Sequence, residues 1–198
     1  MAELSSDQEA LMSPPDARDR ALERLATLLP DDLQERADRT ARAAELVGRR
    51  LGLPAEALDR LRWAARLHDV GRVVVPTALT DRSGPLDEDE WRLVRWHPVV
   101  GARMILFAVP SEHELAAMVR FSHERWDGFG YPDGLTGEAI PLGARIIFAC
   151  DAFAAMTSER AYREPLSPGV ALGQLRRSAG RQFDPGVVQA LGEVIGWR

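Results

Sequence analysis

Across residues 31–51 the apolar side chains Leu33, Ala37, Ala41, Ala44, Val47 and Leu51 recur at intervals of three or four. That period lines them along one face of an α-helix and is incompatible with strand alternation. A similar pattern marks 16–29 (Ala17, Ala21, Leu22, Leu25, Leu28) and 55–69 (Leu58, Leu61, Trp63, Ala65, Leu67). Pro30, Gly52 and Pro54 punctuate the boundaries. Asp87 followed by Glu90 reads as a capping box that opens a helix toward His97. Pro98 is expected to break or restart that helix, because proline donates no backbone hydrogen bond. Further helices are expected near 98–108, 111–124, 142–158, 167–178 and 184–195. Two segments escape the pattern. Residues 73–85 carry Pro76, Gly84 and Pro85, and residues 125–141 carry Gly128, Gly130, Pro132, Gly134, Gly137 and Pro141. Both are predicted loops, the second a folded one. The expected class is all-α.

A length of 198 residues suits one domain. Residues 1–30 read as an N-terminal extension whose first 15 residues fray and whose remainder is a short helix. Residues 31–198 read as the domain. A net charge of −5 argues against a general binder of DNA or RNA polymers. No apolar run approaches the roughly 20 residues that span a bilayer, and the N-terminus lacks a signal-peptide core. The expected location is the cytoplasm, with no membrane contact. The single cysteine, Cys150, permits no internal disulfide and no cysteine-based zinc site, and reads as a small buried hydrophobe. All 25 basic residues are arginine. Any cation acting at a site is therefore a guanidinium, permanently charged and unable to exchange a proton.

Three of the four histidines sit in suggestive settings. His68 directly precedes Asp69 at a helix end, His97 lies in a Trp96-His97-Pro98 corner, and His123 lies just ahead of the glycine-rich loop. Neutral imidazole with carboxylate is a ligand set for iron, manganese, zinc or nickel. The order along the chain is more specific than any one pair. His68-Asp69-Val70-Gly71-Arg72 is followed by Trp96-His97-Pro98, then by His123-Glu124 and the run Gly128-Phe129-Gly130-Tyr131-Pro132-Asp133-Gly134. Pro141-Leu142-Gly143-Ala144-Arg145-Ile146, Asp151, Arg160-Ala161-Tyr162-Arg163 and Gln182-Phe183-Asp184-Pro185 complete the series. The series resembles the HD-GYP family of metal-dependent phosphodiesterases, over about residues 31–195.

The resemblance implies a helical HD-superfamily bundle with a core metal centre of one or two divalent ions, iron or manganese. It also implies hydrolysis of cyclic di-GMP to pGpG or GMP in bacterial signalling. Asp69 matches the carboxylate that bridges two metals, with His68 and Asp151 on one side and His97 and His123 on the other. Arg72 stands at the position of a lysine that touches the scissile phosphate. Gly130, Tyr131 and Pro132 match the substrate-facing loop, and Arg160 and Arg163 match two cations that grip the ligand. Arg145 reads equally as structural or functional. The expected partners are a cyclic dinucleotide and, beyond it, a second copy of the chain or a signalling protein.

Three departures from the family pattern bear on the metals. A ligand histidine is replaced by Arg36, with Asp32 four residues earlier where some members place a glutamate. Ser122 replaces the first histidine of a His-His-Glu triplet, and Ala154 replaces an aspartate. A guanidinium about 5 Å from a divalent ion is repelled by roughly 7 kcal/mol at an effective dielectric of 20. Either Arg36 turns out toward Asp32, or the ion on its side is weak or missing and the guanidinium serves as a surrogate cation. Ser122 is expected to hold a water or bond a phosphate. Three functions are therefore weighed: a cyclic di-GMP phosphodiesterase of reduced activity, a catalytically silent binding module, and a hydrolase of another phosphate ester. Trp63, Trp91, Trp96 and Trp126 are expected in the core or against loops, His113 at the surface, and Asp184 as a helix cap.

Overall fold

The computed structural model describes residues 17–76, 79, 84–159 and 164–196. The expected fraying of residues 1–15, part of the 73–85 loop, and Arg160 and Arg163 lie outside these residues. The elements are α1 (Ala17–Ala26), α2 (Asp31–Arg50), α3 (Ala55–Leu67), α4 (Glu88–Ala108), α5 (His113–Arg120), α6 (Leu142–Thr157), α7 (Pro168–Arg177) and α8 (Pro185–Val194). Short 3-10 turns occupy Val70–Val74 and Gly137–Ala139. Among the described residues there is no strand, only isolated bridges at Asp127–Thr136 and Ala179–Phe183. No helix among them is long and apolar enough to cross a membrane.

The predicted apolar stripe of α2 is its inner face: Ala37, Ala41, Ala44 and Val47 are buried. It packs between α3 and α6, while α4 packs on α5 and on the Val70–Val74 turn. Leu61, Leu67, Ile105, Leu115, Ile146, Ile147 and Leu191 fill the core, and Leu22 and Ala26 of α1 join it. The capping box forms as expected: Glu90 N–H donates to Asp87, and Asp87 N–H donates to Glu90. Asp184 caps α8 through the Gly186 and Val187 amides and also accepts from Arg145, which in turn donates to the Ile140 carbonyl. Arg145 is thus a structural tie between α6 and α8. Cys150 is buried, and His113 is exposed.

One expectation requires correction here. The helix does not break at Pro98; α4 runs through it. Proline removes the amide that would bond the carbonyl four residues back, at Val94. Here the His97 Nδ1–H donates to that carbonyl at 2.6 Å, so the freed acceptor is satisfied and the helix continues. Trp91 and Trp96 take the second of their two expected placements: they are 44% and 50% exposed on α4 and line a cavity with Gly130, Tyr131 and Pro132.

Candidate metal centre

Four helices and one turn converge on Asp69. His68 ends α3 and Asp69 starts the 3-10 turn, while His97 lies inside α4. His123 follows α5, and Asp151 sits in the middle of α6. Gly71 permits the convergence. A Cβ there would meet the His97 carbonyl oxygen at 2.0 Å and the Gly101 nitrogen at 2.6 Å. Only a residue without a side chain lets the turn approach α4 this closely.

The histidines are oriented by backbone carbonyls. His97 Nδ1–H donates to Val94 and His68 Nδ1–H donates to Ala65, at 2.8 Å. A carbonyl only accepts, so in each neutral ring the bare nitrogen is Nε2, which faces the centre. His97 Nε2 and His123 Nε2 stand 3.1 Å apart, and the Asp69 Oδ1 lies 3.2 Å from the first and 3.8 Å from the second. Ligands held about 2.1 Å from one ion stand roughly 3.0–3.4 Å from each other. Asp69, His97 and His123 therefore fit a single divalent ion. His97 Nε2 is bare, and an ion between it, His123 Nε2 and Asp69 Oδ1 would satisfy all three atoms. Burial acts first to lower the His123 ring, and the net shift is downward, which keeps it neutral for that role.

The other half of the centre does not fit an ion in this arrangement, because Arg36 fills it. Its guanidinium donates to Asp69 Oδ2, and its Nε lies 3.2 Å from Asp151 Oδ1. Of the two placements left open above, the arginine turns inward. Arg72 adds a second guanidinium, 3.2 Å from the same Asp69 oxygen. The two Asp69 oxygens are thus divided, one toward the guanidiniums and one toward the imidazoles. Burial acts to raise the Asp69 carboxyl, but His68, His123, His97 and Arg36 together hold it well below the usual carboxylate range. His68 Nε2 lies 3.5 Å from Asp151 Oδ1 and has no hydrogen-bond partner. This side therefore keeps the donor set of a second ion, with the ion's position taken by a tethered cation.

Ser122 corrects another expectation. Its hydroxyl is buried and donates to the Val119 carbonyl at 2.9 Å, so it is turned away from the centre. Glu124, read only as part of a motif, proves to be the pedestal of the glycine-rich loop. Its carboxylate accepts from the Asp133, Gly134 and Leu135 amides at 2.7, 3.0 and 3.1 Å. Gly130 folds directly over it, where a Cβ would come within 2.5 Å of the Glu124 Cα. The loop then presents Tyr131, whose ring stacks on His123 with centroids 5.1 Å apart and planes 9° from parallel. Burial pushes the Tyr131 phenol up to about 12, so it remains a neutral donor beside the centre. No sequence period marks Glu124 as the loop's anchor. The signal would have been a buried carboxylate ahead of several consecutive unpaired amides.

The site is thus a His-Asp pair in a helical bundle with the histidine pair His97 and His123 opposite, a donor set suited to a divalent ion. A family model described as HD domain matches residues 20–187, and the chain belongs to that family. The chain is 40% identical over 155 residues to the cyclic di-GMP phosphodiesterase response regulator RpfG of Xanthomonas campestris, covering 78% of this chain and 41% of RpfG. It is 36% identical over 158 residues to the 3'3'-cGAMP-specific phosphodiesterase 3 of Vibrio cholerae, covering 80% of this chain and 34% of that protein. It thus spans less than half the length of these relatives. Among solved structures, the HDG"Y"P protein Bd1817 of Bdellovibrio bacteriovorus matches with a TM-score of 0.68 at 16% identity, over 96% of this chain and 67% of that one. A V. cholerae cyclic GMP-AMP phosphodiesterase, V-cGAP3, matches with a TM-score of 0.67 at 20% identity, over 91% of this chain and 47% of that one. The HD-GYP resemblance and the all-α class read from the sequence both stand.

Proposed function

We propose that the chain is a cytoplasmic, metal-dependent phosphodiesterase that hydrolyses cyclic di-GMP to pGpG or GMP, working with one divalent ion, iron or manganese. The observation that carries this reading is the cluster of Asp69, His97 and His123, three ligand atoms within 4.8 Å of one another. Asp69, His97 and His123 would hold a divalent ion, which would supply an activated water and offset charge on the phosphate. The remaining work falls to the chain's own groups. Arg36 and Arg72 present guanidiniums on the opposite side of Asp69, where they orient the phosphate and neutralise its oxygens. The Tyr131 hydroxyl donates a hydrogen bond from above, and its ring excludes water from His123. Arg160 and Arg163 extend the cationic grip in this reading on the strength of their motif alone. Asp69 and Asp151 hold Arg36 in place where the family pattern has an ion held.

The inward Arg36 also favours a second reading, a module that binds a cyclic dinucleotide or a partner protein without turnover. A guanidinium binds phosphate but cannot generate hydroxide. Product chromatography separates the two. With Mn2+ or Fe2+, purified protein should convert cyclic di-GMP to pGpG or GMP, and excess EDTA should stop the reaction. Absence of product at any metal concentration, with the dinucleotide still bound, would establish the silent module instead.

A further inference from the structure

The exposed tryptophans of α4 do not stand alone. Glu88, Trp91, Arg95 and Trp96 recur at intervals of three, four and one, which places them on a single helix face. That face and the Gly130-Tyr131-Pro132 run enclose a cavity of about 510 Å3. The volume falls within the range of small-ligand pockets, roughly 300–1,000 Å3. Arg92 on the same face is paired with Asp89. Among the described residues neither Glu88 nor Arg95 has an oppositely charged partner. The Arg95 guanidinium instead lies over the Trp91 ring, 5.5 Å from its centroid. The guanidinium covers part of the ring, and with Trp91 44% exposed the remaining ring surface is accessible to a flat π partner.

The cavity is continuous with the metal centre through Tyr131, which lines the one and stacks on His123 of the other. Arg95 is close enough to Tyr131 to oppose the upward push on its phenol. An aromatic surface flanked by guanidiniums suits a nucleobase with its phosphate: bases stack on tryptophan, and phosphates pair with arginine. The single carboxylate of the face selects among bases. Guanine offers two adjacent donors on its Watson–Crick edge, N1–H and N2–H, which match the two oxygens of a carboxylate. Adenine offers one donor and one acceptor there, and its acceptor would oppose the second oxygen.

We infer that this face is a guanine subsite. In it one base of a cyclic dinucleotide stacks on Trp91 and pairs with Glu88, while Arg95 binds the adjoining phosphate. The inference rests on the cyclic dinucleotide reading above and adds the group that makes the pocket prefer guanine to adenine.

Calorimetric titration of the full chain with cyclic di-GMP and cyclic di-AMP tests it, with turnover of cyclic di-GMP measured in parallel. The parent should bind cyclic di-GMP more tightly than cyclic di-AMP. Glu88→Gln should weaken cyclic di-GMP about tenfold and leave cyclic di-AMP unchanged or tighter. Trp91→Ala should weaken both about tenfold or more. Both residues are on the exposed helix face, so each variant should melt at the parent's temperature, which separates a binding loss from a folding loss. If turnover occurs but neither variant changes binding, or if the parent binds cyclic di-AMP as well as cyclic di-GMP, the subsite is overturned and the phosphodiesterase reading stands. If binding is guanine-selective and Glu88-dependent without turnover, the subsite stands and the catalytic reading falls. Failure of the parent to bind either dinucleotide or to turn over overturns both.

Discussion

Asp69→Asn is expected to abolish divalent-ion binding and to lower cyclic di-GMP hydrolysis by about a thousandfold or more, the scale seen when one member of a unit at the reacting centre is removed. The amide has nearly the same shape but no charge. It would leave His97 and His123 as the only ligands of an ion, and two neutral imidazoles bind far more weakly than two imidazoles with a carboxylate. The amide's one oxygen can face either the ion or the guanidiniums of Arg36 and Arg72 but not both, and without the carboxylate's charge it holds both guanidiniums more weakly. The phosphate-facing cations would then lose their positions as well. Metal analysis of the purified variant and product chromatography read these two losses separately. Hydrolysis near the parent level would remove Asp69 from the reaction and with it the proposed centre.

Arg36→Ala should act on stability before it acts on catalysis. Breaking a buried ion pair by deleting one partner costs about 3–5 kcal/mol, because the other charge is left uncompensated. The Arg36 and Asp151 side chains are 19% and 18% exposed, so partial solvation argues for the low end. A loss of about 3 kcal/mol corresponds to a fall in Tm of roughly 6–12 °C for a domain of this size. The measurement is a thermal melt in chelator. Added Mn2+ should then offset most of the loss. With the guanidinium gone, His68, Asp69 and Asp151 become available to a second ion, and an ion at a hundred times its Kd restores about 2.7 kcal/mol. An unchanged melting point in chelator would mean that Arg36 is not the cation holding the two carboxylates together.

The helices were readable from sequence because their inner faces repeat at the helical period and their starts carry caps, as at Asp87 and Asp184. Pro98 was misread because the breaking rule counts the missing amide and ignores the neighbour. His97 replaces the lost bond, and the helix around it is packed. The sequence leaves Trp91 and Trp96 between core and loop for a different reason. A helical stripe of large side chains has the same spacing whether it faces the core or a cleft. In the centre, His68, Asp69, His97, His123 and Asp151 could be placed by their order along the chain. The direction of Arg36 could not be read, because it depends on whether two carboxylates from α6 and the α3 end converge within reach of a guanidinium from α2. That is a property of packing, and no local pattern encodes it. Glu124 was hidden likewise, since its three amide partners lie nine to eleven residues on in a loop without period.

Metal stoichiometry addresses the centre most directly. Protein reconstituted with excess Mn2+ or Fe2+ and freed of loose ions by gel filtration should retain one ion per chain, bound by Asp69, His97 and His123. Arg36→His should retain two. Two tightly held ions in the unaltered chain would contradict a centre in which the Arg36 guanidinium occupies the second position.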